Sequence, residues 1–234
     1  GSFKIRAGAN AIETAEPTTL AKGVVTASAG NFGQGVAKAA LNRGLPVHVI
    51  APNTASNVKI EALHNLGAKV DTVPFNDWWK IMMTREVEVE GFFIHPVEEL
   101  SVIMGNGGIG LEIISKFPEV DAVVVPVGGG GMISGIALAM KALGKTPRII
   151  ACEIESSTPL HSAKEAGKPV SVGRGASWID GIGSTSVLPK MWPLLNELVD
   201  EVIVVSHSEA AHSLRVLARD SHLVVEGAGA VAHA

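Results

Sequence analysis

The sequence predicts an α/β protein built on parallel sheets, and two observations support that prediction. Short apolar runs rich in β-branched residues alternate along the chain with segments of helical periodicity, which is typical of right-handed βαβ units. The apolar runs are nearly continuous and are bounded by Gly, Pro or Asn, which indicates strands buried on both faces of a sheet. The predicted strands lie at 24–27, 47–50, 69–73, 122–125, 148–151 and 202–205.

Helical patterns fill the intervals between these strands. Apolar faces after the first two strands are formed by Val36, Ala40 and Leu41 and by Val58, Ala62, Leu63 and Leu66. Further helices are predicted at 109–117, 133–143 and 208–220. Gly67 and Gly144 follow two of the helices, where glycine commonly ends the last turn. The segment 156–186 is rich in Gly, Ser and Pro, and it is predicted to be an excursion within a domain.

Composition excludes several functional classes. Apolar residues make up 47% of the 234 residues and charged residues 18%, so a packed core is expected. The net charge is −4, aromatics are 4%, and no basic run or aromatic stripe occurs, so nucleic acid is not expected as a partner. No apolar stretch reaches the roughly 20 residues of a membrane helix. The single cysteine, Cys152, lies in a predicted strand as a small buried residue, and a cytoplasmic location is expected.

A run of four glycines follows a predicted strand and opens a helix, in the order Gly128, Gly129, Gly130, Gly131 and Met132. Without Cβ atoms, the backbone N–H groups of such a turn can converge on an anion, and the helix N-terminus adds a partial positive charge. We interpret the run as a phosphate-binding turn, although a tight strand-to-helix turn is the simpler alternative. A second glycine-rich stretch, 105–110, matches GxGxxG but follows no strand. It is interpreted as a helix start packed closely against another segment.

Two further segments carry groups suited to an aldehyde cofactor. Ser28, Ala29, Gly30 and Asn31 form a polar turn between a strand and a helix, and Asn31 could instead simply cap that helix. Lys4 follows Phe3 in the phrase 2–6, and a lysine amine can form a Schiff base with an aldehyde.

Together these segments resemble the serine/threonine dehydratase branch of the fold type II pyridoxal-phosphate (PLP) enzymes, over essentially the whole chain. The resemblance implies two open, three-layer, parallel-sheet domains of the tryptophan synthase β type. It implies a small domain at 18–104, and a large cofactor-binding domain formed by 1–17 and 105–234. It also implies that segments present in the family before and after this stretch are missing. Sheet surface left uncovered would favour self-association, and a homodimer is expected.

The resemblance also assigns roles to the residues. Lys4 would hold PLP and act as the catalytic base, with Phe3 on one face of the ring and Gly181, from the stretch 180–183, on the other. Asn31 would bond a ring oxygen, Glu226 would lie near the ring, and Gly128, Gly129, Gly130, Gly131 and Met132 would bind the phosphate. The substrate carboxylate would be held by Ser28, Ala29, Gly30 and Asn31.

The activity implied is elimination of water from L-threonine, L-serine or a related β-hydroxy amino acid, giving a 2-keto acid and ammonia. A racemase, a β-replacement enzyme and a non-catalytic PLP- or phosphate-binding fragment are the alternatives. Similar racemases carry Ser where this chain has Ala29, and a methyl group cannot donate a proton, so elimination is favoured. The chain departs from the family at Ala7 and Gly8, where Gly-Ala is usual, and at Phe32, where His is usual.

Other catalytic constellations are not expected. The histidines show no metal-ligand spacing. Some relatives bind a cation through two carboxylates; Glu153 matches the first, but Pro159 stands where the second would fall, so no metal is predicted. No Ser-His-Asp order and no paired carboxylates stand out along the sequence.

Overall fold

The computed structural model describes residues 1–28 and 30–234, so the predicted role of Ala29 lies outside the described residues. The chain divides into two compact units, Gly1–Gly108 and Ile109–Ala234. The predicted domains place 1–17 with the second part of the chain, whereas these units group that segment with the first. The domain boundaries therefore stay a prediction.

The first unit is built around a parallel four-stranded sheet with the order β3-β2-β1-β4. Its elements are α1 (Lys4–Glu13), β1 (Val24–Ala27), α2 (Asn31–Asn42), β2 (Val47–Pro52), α3 (Asn57–Asn65), β3 (Lys69–Val73), α4 (Phe75–Thr84) and β4 (Phe92–Phe93). The chain moves outward from β1 to β3 and then returns to the other side of β1. The carboxyl edge of β1 is consequently a topological switch point, where α/β sheets commonly bind ligands.

Helices α1 and α2 pack in direct backbone contact. A Cβ at Gly8 would lie 2.9 Å from Val36 N, and one at Gly35 would lie 2.7 Å from the Lys4 carbonyl oxygen. The buried residues of the two helices, including Ala7 and Phe32, join one apolar core. Both departures from the family sequence thus have packing reasons. Gly8 is needed where the helices cross, and Phe32 is buried in the core.

The second unit contains a parallel three-stranded sheet with the order β5-β6-β7. Its elements are β5 (Ala122–Pro126), α6 (Gly131–Ala142), β6 (Arg148–Ile154), α7 (Pro159–Ala166), α8 (Trp192–Leu198), β7 (Glu201–Val205), α9 (His207–Asp220) and α10 (Gly227–Ala230). Helix α5 (Leu100–Lys116) runs across the boundary between the two units.

All six predicted strands are present, and the expectation that they are buried on both faces fails at the sheet edges. The central strands β1, β2 and β6 are almost entirely buried, whereas the edge strands β3 and β7 are largely exposed. The predicted α3 face is also wrong at Val58, which is 75% exposed while Leu63 is fully buried. Leu41 of α2 is likewise exposed.

The predictions made for the glycines have different outcomes at different positions. Gly67 and Gly144 each follow a helix with positive φ, of 77° and 69°, as predicted. The glycines at 105–110 lie inside α5 rather than at its start. The close packing expected of them is present, because a Cβ at Gly105 would meet Arg6 O at 2.6 Å.

Candidate active site

Lys4 is the first residue of α1, and Phe3 occupies the N-cap position. The Lys4 Nζ lies 4.4 Å from the centroid of the Phe3 ring, a cation–π distance. Because Gly35 touches the Lys4 backbone, Lys4 lies about one helical turn from the start of α2. The structure therefore brings the predicted lysine close to the helix that the polar turn opens.

The polar turn follows β1 at the switch point of the first sheet. Gly30, which has no side chain, is the N-cap residue of α2, and Asn31 is the first residue of the helix. Gly30 therefore occupies the position that the simpler interpretation gives to Asn31. The N–H of Gly30 donates to Ser28 Oγ at 3.3 Å. An uncapped helix start beside a hydroxyl can bind a carboxylate through N–H groups.

The glycine run forms the turn from β5 into α6. Gly130 is the N-cap residue of α6 with φ 92°, a conformation that glycine adopts without strain, and as a glycine it has no side chain with which to cap the helix. Gly128 and Gly129 are half-buried bends, while Gly131 and Met132 open the helix. The turn places the first N–H groups of α6 directly after glycines, which is compatible with the predicted phosphate-binding turn.

Three predicted segments of the second unit meet around Gly181. A Cβ at Gly181 would lie 2.7 Å from Ala228 Cβ and 3.4 Å from Glu226 Oε1. A Cβ at Gly128 would lie 3.4 Å from Ile182 Cα. The structure thus places the glycine turn, Gly181 and Glu226 in one neighbourhood, and there is no room for a larger side chain at 181.

Glu153 lies elsewhere and serves the fold. Its two carboxylate oxygens each accept a backbone N–H at 2.8 Å, from Leu160 and His161, so the side chain caps the start of α7. Burial raises the pKa of this carboxyl, against the lowering effect of the two N–H donors. Among residues 1–28 and 30–234, no three His, Cys, Asp or Glu side chains are grouped to hold a metal ion.

Cys152 is buried in β6, and burial, with a smaller effect of Glu201, raises the pKa of its thiol to about 11. A thiol this hard to ionise is a poor nucleophile at neutral pH. The interpretation of Cys152 as a packed core residue is confirmed.

One polar cluster was missed by sequence reasoning. Beside Trp178, the His207 ring is hydrogen bonded to Ser177 through Nε2 and to Glu155 through Nδ1. Their separation along the chain gives no motif that would have indicated the cluster from the sequence.

Comparison with known proteins places these features in a family. The family described as pyridoxal-phosphate-dependent enzymes matches residues 1–234, and this chain belongs to it. PLP is thus the cofactor implied, and Lys4 at the start of α1 is a residue whose amine can hold its aldehyde.

Several characterised proteins are similar to the chain. It is 37% identical over 233 residues to an L-threonine ammonia-lyase of Geobacter sulfurreducens, covering 99% of this chain and 58% of that protein. It is 36% identical to a serine racemase of Mus musculus, covering 99% of this chain and 70% of the racemase. The chain therefore spans less than two thirds of the ammonia-lyase.

Solved structures agree on the fold. Maize serine racemase superimposes with a TM-score of 0.91 at 33% identity, covering 99% of this chain and 70% of that chain. The processed threonine deaminase isoform 2 of Solanum lycopersicum gives a TM-score of 0.88 at 28% identity, covering 99% and 68%. The predicted fold type II architecture is confirmed. Among the described residues, no helix is both long and apolar enough to cross a membrane.

Proposed function

We propose that the protein is a PLP-dependent ammonia-lyase that removes water from L-threonine, L-serine or a related β-hydroxy amino acid. The products are a 2-keto acid and ammonia. Similarity to L-threonine ammonia-lyases over 99% of the chain supports this reaction, and the observation that carries it is the lysine at the start of α1 packed beside α2.

The chain's own residues divide the work as follows. Bound PLP supplies the electron-accepting ring system that makes the substrate Cα–H acidic. Lys4 Nζ removes the Cα proton. Ser28 Oγ and the first N–H groups of α2 hold the substrate carboxylate, which fixes the orientation of the Cα–H bond.

In this proposal, residues of the second unit bind the cofactor phosphate and form a wall beside the cofactor ring. The N–H groups of Gly128 to Met132 bind the phosphate. Gly181 is exposed and has no room for a Cβ, which would lie 2.7 Å from Ala228 Cβ, so its backbone can form a flat wall. Glu226 is proposed to lie beside the cofactor ring.

Racemisation is the second candidate, because serine racemases are 36% identical to the chain. Both reactions begin with removal of the Cα proton, but racemisation needs a second proton donor on the opposite face. The sequence has Ala29 in the polar turn, and a methyl group cannot supply that proton. Elimination is therefore preferred.

The test uses PLP-reconstituted protein incubated with L-threonine and with L-serine. Formation of 2-keto acid is measured by reduction with a coupled dehydrogenase, and D-amino acid by chiral chromatography. We expect keto acid to be the main product. Lys4→Ala should abolish turnover and the visible absorption of protein-bound PLP, whereas Lys22→Ala, at an exposed ion pair with Glu90, should preserve both.

Ala29→Ser separates the two candidate reactions. It should raise the ratio of D-serine to keto acid if the missing proton donor is what prevents racemisation. Fast L-to-D conversion by the unaltered protein, with little keto acid, would refute the assignment as a lyase.

A further inference from the structure

A hydrogen-bonded chain of three side chains lies in the second unit, and none of them is assigned to PLP or to the amino acid. Ser177 Oγ is 2.9 Å from His207 Nε2. On the other side of the imidazole, His207 Nδ1 is 3.1 Å from Glu155 Oε1. The backbone N–H of His207 donates to the same carboxylate oxygen at 2.7 Å, which fixes Glu155 relative to the ring.

The position of the hydrogen on the His207 ring follows from the Glu155 carboxylate, which accepts a hydrogen bond from the ring. Since an ionised carboxylate only accepts, Nδ1 carries the imidazole hydrogen and Nε2 presents its lone pair to Ser177. The hydroxyl has one other acceptor, Ile179 O at 3.1 Å, which is farther than Nε2. The N–H of Ile179 donates to Ser177 Oγ at 3.0 Å and holds the side chain in this position.

Ser177 and His207 face a shallow depression that is widely open to solvent. It has a volume of about 410 Å³ and is lined by Ala176, Ser177, Trp178 and His207. The Trp178 ring is half-exposed and lies 6.2 Å from the His207 ring, centroid to centroid, giving an apolar wall next to the hydroxyl. The half-exposed carboxylate of Glu155 disfavours an anionic ligand.

A donor for a developing oxyanion is also available. The residue after the nucleophile supplies one such N–H in many hydrolases. The backbone N–H of Trp178 forms no hydrogen bond with any residue in 1–28 or 30–234.

We propose that Ser177, His207 and Glu155 form a second active site that hydrolyses small uncharged esters with an apolar acyl group. Nucleophile, base and orienting carboxylate stand in the hydrogen-bonded order that this chemistry requires. The site is independent of Lys4 and of the proposed lyase reaction.

The reaction balances with water as the second reactant. Ser177 Oγ bonds to the acyl carbon as its proton passes to His207 Nε2, and the ester C–O bond breaks while the leaving alcohol takes that proton. Water then attacks the acyl-serine, giving its proton to Nε2, and Ser177 recovers a proton as the carboxylic acid leaves. Glu155 holds the imidazole in the required tautomer throughout.

The experiment measures hydrolysis of p-nitrophenyl butyrate and labelling by a fluorophosphonate probe, with the labelled residue located by peptide mass spectrometry. We expect the unaltered protein to be labelled at Ser177. Ser177→Ala should abolish labelling, and His207→Gln should lower kcat/KM by about 10²-fold or more. Glu155→Gln should lower kcat with little change in KM.

Ser156→Ala is the matched control, because Ser156 Oγ lies 3.4 Å from the same His207 nitrogen but outside the proposed relay. The Ser156→Ala variant should retain both ester hydrolysis and labelling at Ser177. Circular dichroism of each variant verifies folding. The proposal fails if the unaltered protein is not labelled at Ser177, a result that needs no variant. It also fails if folded Ser177→Ala hydrolyses the ester at the original rate.

Discussion

Replacement of Gly130 by Ala probes the glycine turn at a position where the structure defines two separate penalties. The residue has φ 92° and ψ −9°, a left-handed conformation that costs an L-residue about 1–2 kcal/mol. A Cβ would also lie 2.8 Å and 2.9 Å from the two terminal carbons of Leu195, which is 1% exposed and cannot move into solvent. Overpacking of this kind costs about 1–3 kcal/mol. We expect Gly130→Ala to lower the free energy of unfolding by about 2–5 kcal/mol.

Gly144→Ala separates these penalties. Gly144 lies just beyond the other end of α6 with φ 69°, and no atom lies within 4 Å of its would-be Cβ, so only the backbone cost applies. Urea denaturation followed by circular dichroism compares the two variants, whose substitutions flank the same helix, α6. The difference between them, about 1–3 kcal/mol, measures overpacking against Leu195. Equal destabilisation by the two substitutions would refute this reasoning.

Three further predictions test other parts of the structure. Cys152, with its pKa raised to about 11 and its side chain buried, should resist a maleimide in the native protein and react after denaturation; rapid native labelling would contradict the burial. Burial raises the pKa of Glu153 above its ordinary value of 4.5, so the folded protein binds that proton more strongly than the unfolded chain. In thermal denaturation, the free energy of unfolding should therefore fall as pH rises through and above 4.5, by at most about 1.4 kcal/mol per pH unit. The Glu153→Gln variant should lack this slope. Gly8→Ala should lower the melting temperature, because its Cβ would meet Val36 N at 2.9 Å, whereas Gly108→Ala, whose Cβ would meet only the end of an arginine at 3.4 Å, should raise stability by about 0.5–1 kcal/mol.

The strands were predictable because they are short runs of β-branched residues with clear boundaries. The two-residue strand β4, Phe92–Phe93, was missed because it is too short to show any alternation. Helix α7 was missed because it lies within a Gly-, Ser- and Pro-rich stretch, where Glu153 from a preceding strand caps it. Such a cap depends on tertiary contacts that a local pattern does not contain.

The edges of the sheets could not be predicted from local sequence either. The β7 residues Ile203 and Val204 are as apolar as those of β6, yet they are 40% and 39% exposed in a strand at the edge of its sheet. Strand order is a property of the assembled sheet. Hydrophobicity alone therefore predicted the strands but not which of them would be central.

The candidate site shows the same division between local and tertiary information. The glycine turn and the lysine phrase were predicted because each is a compact local pattern. The relay of Glu155, Ser177 and His207 was not, because His207 bonds residues 52 and 30 positions earlier. Their order along the chain, Glu then Ser then His, also differs from the Ser-His-Asp order that was sought.

The glycine turn contributes unequally to the argument for a phosphate. Gly130 is required by its positive φ and by Leu195, so the protein would need glycine there even without a ligand. Gly128 has no positive φ, and the nearest atom to its would-be Cβ is Ile182 Cα at 3.4 Å, so an alanine nearly fits. The fold's own packing therefore explains Gly130 but gives only a weak reason for Gly128. A bound anion that needs unobstructed N–H groups at the start of α6 explains both, and the support for a phosphate site consequently rests more on Gly128 than on the conspicuous length of the glycine run.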